Sequence, residues 1–240
     1  MEENKNQTGT TGKHKLHFAA LFLILVILPI GTWYYTKSGF DYFKSMVGEL
    51  HEYGKIPTFS LSDQNGEILQ LEDIKGHLTV SSFIDLENDK SKVVASQIQK
   101  LYDQFRDRDD VVFLFYTTNP NHDSVEALNT FANANGLTDE EQCFFLTGNE
   151  ASLKSMLSNG YKWPTDYGKP TKEEALSLAS QPANGEGYYP YVVLADTSMM
   201  IRNYYTFEDN TSMARLVEHL AVLLPSRSGG KPEMKREKER

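Results

Sequence analysis

The stretch from Gly76 to Phe105 restricts the fold of this chain more than any other. It opens on Leu78-Thr79-Val80-Ser81-Ser82-Phe83-Ile84, a β-branched and apolar run, and turns through Asp85-Leu86-Glu87-Asn88-Asp89-Lys90. Val94, Ile98, Leu101 and Phe105 then recur at helical spacing. A buried strand, a polar loop and a helix with one apolar face make a βα unit. Asp109-Asp110 break the chain before Val111-Val112-Phe113-Leu114-Phe115-Tyr116, a continuous apolar run expected of a strand covered on both faces. Two strands joined through a helix at this spacing form a right-handed parallel crossover.

The remaining elements arrange themselves around that unit. Pro57 to Ser62 and Glu67 to Leu71 alternate as two strands across Asp63-Gln64-Asn65-Gly66. Asn-Gly at the corner marks a β-hairpin. After the loop Thr117 to His122, a helix is expected from Asp123, with Asp123 and Glu126 as a capping-box-like start. Gln142 to Leu146 reads as a short strand, followed by a helix through Leu157. An insertion from Tyr161 to Gly187 carries a short helix capped by Thr171 and Glu174. Tyr191 to Ala195 and Met199 to Tyr205 form a closing hairpin, and a helix from about Thr211 to Leu224 ends the domain.

The N-terminal part has a different character. Residues 1–15 form a polar tail, expected on the cytoplasmic side. From Leu16 to Tyr35 there is no Asp, Glu, Lys or Arg, and Trp33, Tyr34 and Tyr35 close the segment as an interfacial belt. About 20 apolar residues span a bilayer. No small-x-small cleavage site follows, so residues 16–35 are expected to be an uncleaved transmembrane signal anchor. The lysines before it favour a single pass through the cytoplasmic (inner) membrane, with the domain on the outer, periplasmic side. Residues 36–54 read as an amphipathic linker helix, 55–225 as the folded domain, and 226–240 as a disordered basic tail.

Composition removes whole classes of function. A net charge of −9 argues against a nucleic-acid partner. The single cysteine, Cys143, excludes an intramolecular disulfide, dithiol redox chemistry and a Cys-Cys metal site.

The order of elements is that of an α/β, thioredoxin-like domain with an N-terminal β-hairpin, preceded by one transmembrane helix. Particular residues narrow this. Lys55-Ile56-Pro57-Thr58-Phe59-Ser60-Leu61-Ser62-Asp63-Gln64-Asn65-Gly66, with Leu71-Glu72-Asp73-Ile74-Lys75-Gly76, resembles the opening of the Sco/SenC family. Asn119-Pro120-Asn121-His122-Asp123-Ser124-Val125-Glu126-Ala127-Leu128 and Phe145-Leu146-Thr147-Gly148 resemble later segments of the same family. The resemblance implies copper binding by a Cys-x-x-x-Cys pair after the central strand and a histidine before the last hairpin. It also implies a setting in cytochrome oxidase assembly. The matching positions here are Asn88, Lys92 and Tyr188, in a loop made acidic by Asp85, Glu87 and Asp89. None is a ligand for Cu(I), which takes thiolate or imidazole. Peroxidase chemistry needs a low-pKa cysteine in the same loop and is lost with it.

Other residues carry weaker suggestions. His122, in the loop after the second parallel strand, is either a solvated loop histidine or, with Cys143, part of a relocated copper site. Cys143 is expected to be a buried structural thiol, the alternative being a single-cysteine thiol enzyme. Asp85, Glu87 and Asp89 suit a solvated turn or a hard cation such as Ca²⁺. His51, His77 and His219 share no ligand spacing. Tyr188, Tyr189, Pro190 and Tyr191 either cover the sheet end or form a surface for a protein partner. The resulting expectation is a membrane-held, non-enzymatic pseudo-active-site protein. It has no catalytic residue, metal or cofactor. Its unknown protein partner belongs to respiratory-complex assembly.

Overall fold

The computed structural model describes residues 17–18, 20–161, 191–207 and 209–225. The expected tails at 1–15 and 226–240, the insertion helix at Thr171 and Glu174, and Tyr188, Tyr189 and Pro190 lie outside the described residues. The chain divides into two units, 1–48 and 49–240.

In the first unit Ala20–Gly48 form one helix of 29 residues, long and apolar enough to cross a membrane. At 1.5 Å per residue it measures about 44 Å, more than the hydrocarbon layer alone requires. Near its start it widens into a π-turn, Leu23–Ile27, closed by the Leu28 N–H on the Leu23 carbonyl, and continues as α1, Leu28–Gly48. The wide turn lies next to Pro29, which has no N–H for an α-helical bond, and a π-turn accommodates such a gap. Lys37 Nζ sits 5.3 Å from the centre of the Trp33 ring one turn away.

The second unit starts with a correction. The amphipathic linker helix expected over 36–54 stops at Gly48. Residues 51–56 are extended instead and hydrogen-bond to the closing hairpin. His51 N–H donates to the Arg202 carbonyl, Tyr53 N–H to Ile201, and Ile56 N–H to Met199, at 2.9–3.0 Å. The apolar spacing behind that expectation, Phe40 to Leu50, lies almost wholly within the helix, and beyond Gly48 tertiary pairing sets the backbone. Gly54, at φ +126°, takes a conformation that no helix contains.

β1 (Ser60–Ser62) and β2 (Ile68–Gln70) form the N-terminal hairpin, with Gly66 at φ +80° in its turn. A 3₁₀ turn, Leu71–Ile74, leads to β3 (Leu78–Ile84). Then follow α2 (Lys90–Phe105), β4 (Val111–Thr117), α3 (Val125–Ala134) and β5 (Cys143–Leu146). A short helix α4 (Glu150–Ser155) passes into a π-turn, Met156–Gly160. β6 (Tyr191–Ala195), β7 (Ile201–Thr206) and α5 (Asn210–Leu223) complete the unit.

The main sheet has the order β5-β4-β3-β6-β7. β3, β4 and β5 are parallel, and β6 and β7 antiparallel, as a thioredoxin-like domain requires. β3 and β4 are buried at all seven positions each, which explains their unbroken apolar runs. On one face Leu78, Val80 and Ile84 pack with Val94, Ile98 and Leu101 of α2, Leu128 of α3, and Leu216 and Leu220 of α5. On the other, Leu61, Leu69 and Ile74 cover Val112, Leu114, Tyr116 and Phe144. Each large side chain so buried contributes about 1.5–3 kcal/mol.

Both sheet edges are covered, which an isolated sheet needs to avoid pairing with other chains. The β5 edge meets the hairpin: Ser62 and Thr147 exchange backbone hydrogen bonds at 2.9 and 2.8 Å. The buried Gln64 amide continues this ladder with its side chain. Its Nε2 donates to the Cys143 carbonyl at 2.9 Å, and its Oε1 accepts from Phe145 N–H at 2.8 Å. The β7 edge is covered by residues 51–56.

Candidate functional site

The loop after β3 and the loop after β4 leave the same end of the parallel strands, where α/β folds collect ligands. Their backbones are tied by Thr118 N–H on the Ile84 carbonyl at 2.8 Å.

The loop after β3 is closed by its own polar groups. Ser91 Oγ donates to the Asp85 carbonyl at 2.7 Å and accepts from Asp85 N–H at 3.0 Å. Asp85 Oδ1 accepts from Glu87 N–H at 3.0 Å, and the Asp85 carbonyl also accepts from Asn88 N–H at 3.0 Å. Asn88 Oδ1 caps Lys90 N–H at 3.0 Å. Lys92 points to solvent and pairs with Asp89 at 2.8 Å. Asn88 is thus a turn-capping amide and Lys92 a solvated ammonium. Asp85 is 1% exposed and its Oδ2 has no hydrogen-bond partner among the described residues. Burial raises its carboxyl above the ordinary range, with Asp123 and Glu87 adding to the rise and the Glu87 amide opposing it.

Asp123 corrects a second expectation. It does not cap α3. Ser124 does, accepting from Ala127 N–H at 3.2 Å. Asp123 is fully buried beneath the two loops. Its Oδ2 accepts from the Thr117 hydroxyl at 2.5 Å and from Leu86 N–H at 3.4 Å. Sequence reading missed both Asp123 and Ser91 as loop-holding residues. Adjacent Asp123-Ser124, each able to cap, was the available signal for the first.

His122 joins the loops. Its Nδ1 donates to Asp123 Oδ1 at 3.2 Å, and its Nε2 lies 3.3 Å from Glu87 Oε1. Glu87 also accepts from Asn119 Nδ2 at 3.2 Å. The Asp123 hydrogen bond, then Glu87 and Asp85, raise the imidazole above its ordinary value.

Cys143 is not part of this cluster. It opens β5 in register with Phe113, four residues before the end of β4, about 13 Å back along the strand. The thiol is 0% exposed, and burial pushes its ionisation far up. A thiolate nucleophile there is excluded. The structure thus separates His122 from Cys143. Among the described residues no group of three or more His, Cys, Asp or Glu side chains could hold a metal ion. His77 bonds the Ile74 carbonyl at 3.1 Å and His219 the Tyr205 hydroxyl at 2.6 Å, apart from the site. Tyr191 begins β6 and is half-buried.

A family model described as SCO1/SenC matches residues 49–221. The chain belongs to the SCO1/SenC family. The match begins where the second unit begins. The SCO1/SenC family lipoprotein of Bacillus anthracis str. Ames is similar at 19% identity and TM-score 0.57, covering 70% of this chain and 94% of that one. BsSco, a member of the Sco family of cytochrome c oxidase assembly proteins, is similar at 18% identity and TM-score 0.55, covering 72% and 95%. Bradyrhizobium japonicum ScoI, solved with copper bound, is similar at 18% identity and TM-score 0.53, covering 71% and 100%. At these identities the structural likeness shows the thioredoxin-like fold alone. A comparison with curated protein sequences returns no match. The loop after β3, Asp85 to Lys90, contains no cysteine or methionine.

Proposed function

We propose that this chain is a membrane-anchored, redox-inactive SCO1/SenC protein that acts by binding rather than by catalysis. Its setting is the assembly of a respiratory oxidase at the outer face of the cytoplasmic membrane. One observation carries the reading: the loop that follows β3 turns Asp85 Oδ1, Asn88 Oδ1 and the Ser91 hydroxyl onto its own backbone and has no sulfur to offer. The setting is supported by family membership and by the description of BsSco as a member of a cytochrome c oxidase assembly family. The helix Ala20–Gly48 supports membrane attachment. Neither a relocated copper site nor a thiol enzyme at Cys143 has support, because that thiol is buried and set apart from His122.

The test is deletion of the gene in its own host, with oxidase assembly measured with and without added copper. Loss of assembled oxidase that copper does not restore is the expected result. Full restoration by copper would point to a copper-delivery role and contradict the reading.

A further inference from the structure

One side chain bridges the two loops in a way that depends on a proton. His122 presents Nδ1 to Asp123 Oδ1 at 3.2 Å and Nε2 to Glu87 Oε1 at 3.3 Å. Only the doubly protonated ring has a donor on both nitrogens. The neutral ring turns a lone pair towards one of the two carboxylates, and the contact becomes repulsive. Asp123 cannot give way, since it is fully buried and held by Thr117 and Leu86. Glu87 can, because its side chain is half exposed and its other partner is Asn119. The mobile side of the bridge is therefore the loop after β3.

We propose that His122 is a proton-operated latch on the loop from Asp85 to Lys90. With both ring nitrogens protonated, it holds Glu87 against the loop after β4. When Nε2 loses its proton, Glu87 is released. This regulates the conformation of the loop on which the reading above is based, and its biological meaning rests on that reading. The latch itself is a property of the isolated chain.

The charged groups facing His122 all act in one direction. Asp123 on its own segment, and Glu87 and Asp85 from the loop after β3, each favour the charged ring. From α4, Glu150 is engaged by Lys154 and by Asn121 Nδ2. Because the folded-state imidazole value is raised, closure is complete below the ordinary imidazole value of about 6.5 and is lost as pH rises through the higher folded value.

The test is an NMR titration of the full-length chain in detergent micelles from about pH 5 to about pH 9, spanning the imidazole range. The His122 ring resonances are assigned with His122→Gln. The expected result is that the amides of Glu87, Asn88 and Lys90 shift with the His122 midpoint, above the ordinary imidazole value. Glu87→Gln lowers that midpoint and speeds amide exchange in the loop at pH 6 by about two- to fivefold, the range for an exposed ion pair. Loop amides that ignore the His122 titration, or a midpoint unmoved by Glu87→Gln, would overturn the latch. Neither result bears on whether a partner binds, so the two readings fail separately.

Discussion

Strand β3 and the loop that leaves it are adjacent in sequence but are held in place by opposite means. β3 is buried at all seven residues, and its side chains are set by what packs on them from both faces of the sheet. The loop is held mainly by its own atoms: the Ser91 hydroxyl on both backbone groups of Asp85, Asp85 Oδ1 on Glu87, and Asn88 Oδ1 on Lys90. A residue of β3 cannot change without disturbing two layers. A loop closed on itself can change what it shows to solvent while its polar groups stay satisfied. That asymmetry lets the sheet of an SCO1/SenC chain stay fixed while the loop at its end varies.

Substitutions in the two regions sharpen this contrast. The largest effect is expected in the sheet. Phe145→Ala removes a fully buried ring stacked on Phe115 at 4.2 Å and should cost about 3–5 kcal/mol in denaturant unfolding. Gln64→Ala leaves the Phe145 N–H and the Cys143 carbonyl unpaired at the β5 edge. A loss of about 2–4 kcal/mol should follow, with faster amide exchange in β5. In the loop, Ser91→Ala removes the one hydroxyl serving Asp85 and should cost only about 1–2 kcal/mol. Exchange should quicken between Asp85 and Lys90 while β3 stays protected. If Ser91→Ala destabilised the domain as much as Phe145→Ala, the loop would be part of the core and the contrast would fail.

A smaller effect is expected at Arg108 and Asp110, where the guanidinium forks onto the carboxylate at 2.9 and 2.6 Å. Burial alone would raise the Asp110 carboxyl, but the Arg108 contacts outweigh it and the net shift is downward. Stability from this pair is therefore present above the ordinary carboxylate value and lost as pH falls through the lowered one. Asp110→Asn should cost about 1 kcal/mol at neutral pH and flatten that acid limb.

Much of the sheet was legible because local pattern and tertiary role agree. The spacing of Val94, Ile98, Leu101 and Phe105 marks the face of α2 that packs on β3, and the observed helix buries all four. Asn65-Gly66 places the hairpin turn, and Gly66 takes the positive φ that it needs. Met213, Leu216 and Leu220 mark α5, which runs Asn210–Leu223. What escaped depends on partners distant in sequence. Gln64 bonds residues 79 and 81 positions away, for which no local signal exists. The linker helix expected over 36–54 ends at Gly48, because β7 draws His51 to Ile56 into an extended edge. Asp123 looked like a cap because Asp and Ser are both good caps, and only the backbone path decides that Ser124 serves α3 while Asp123 turns inward. At the site, the absence of sulfur was plain from the sequence, whereas the self-closure of the loop and the bridge from His122 required coordinates.

The most direct measurement is a Cu(I) and Cu(II) titration of the full-length chain in detergent, with Cys143→Ser and His122→Ala alongside and thiol labelling followed in parallel. The expected result is no stoichiometric copper binding, with Cys143 labelled only on unfolding because it is 0% exposed in the fold. Tight binding of one equivalent, lost in either variant, would show a metal site that the loop after β3 does not contain and would contradict the central claim.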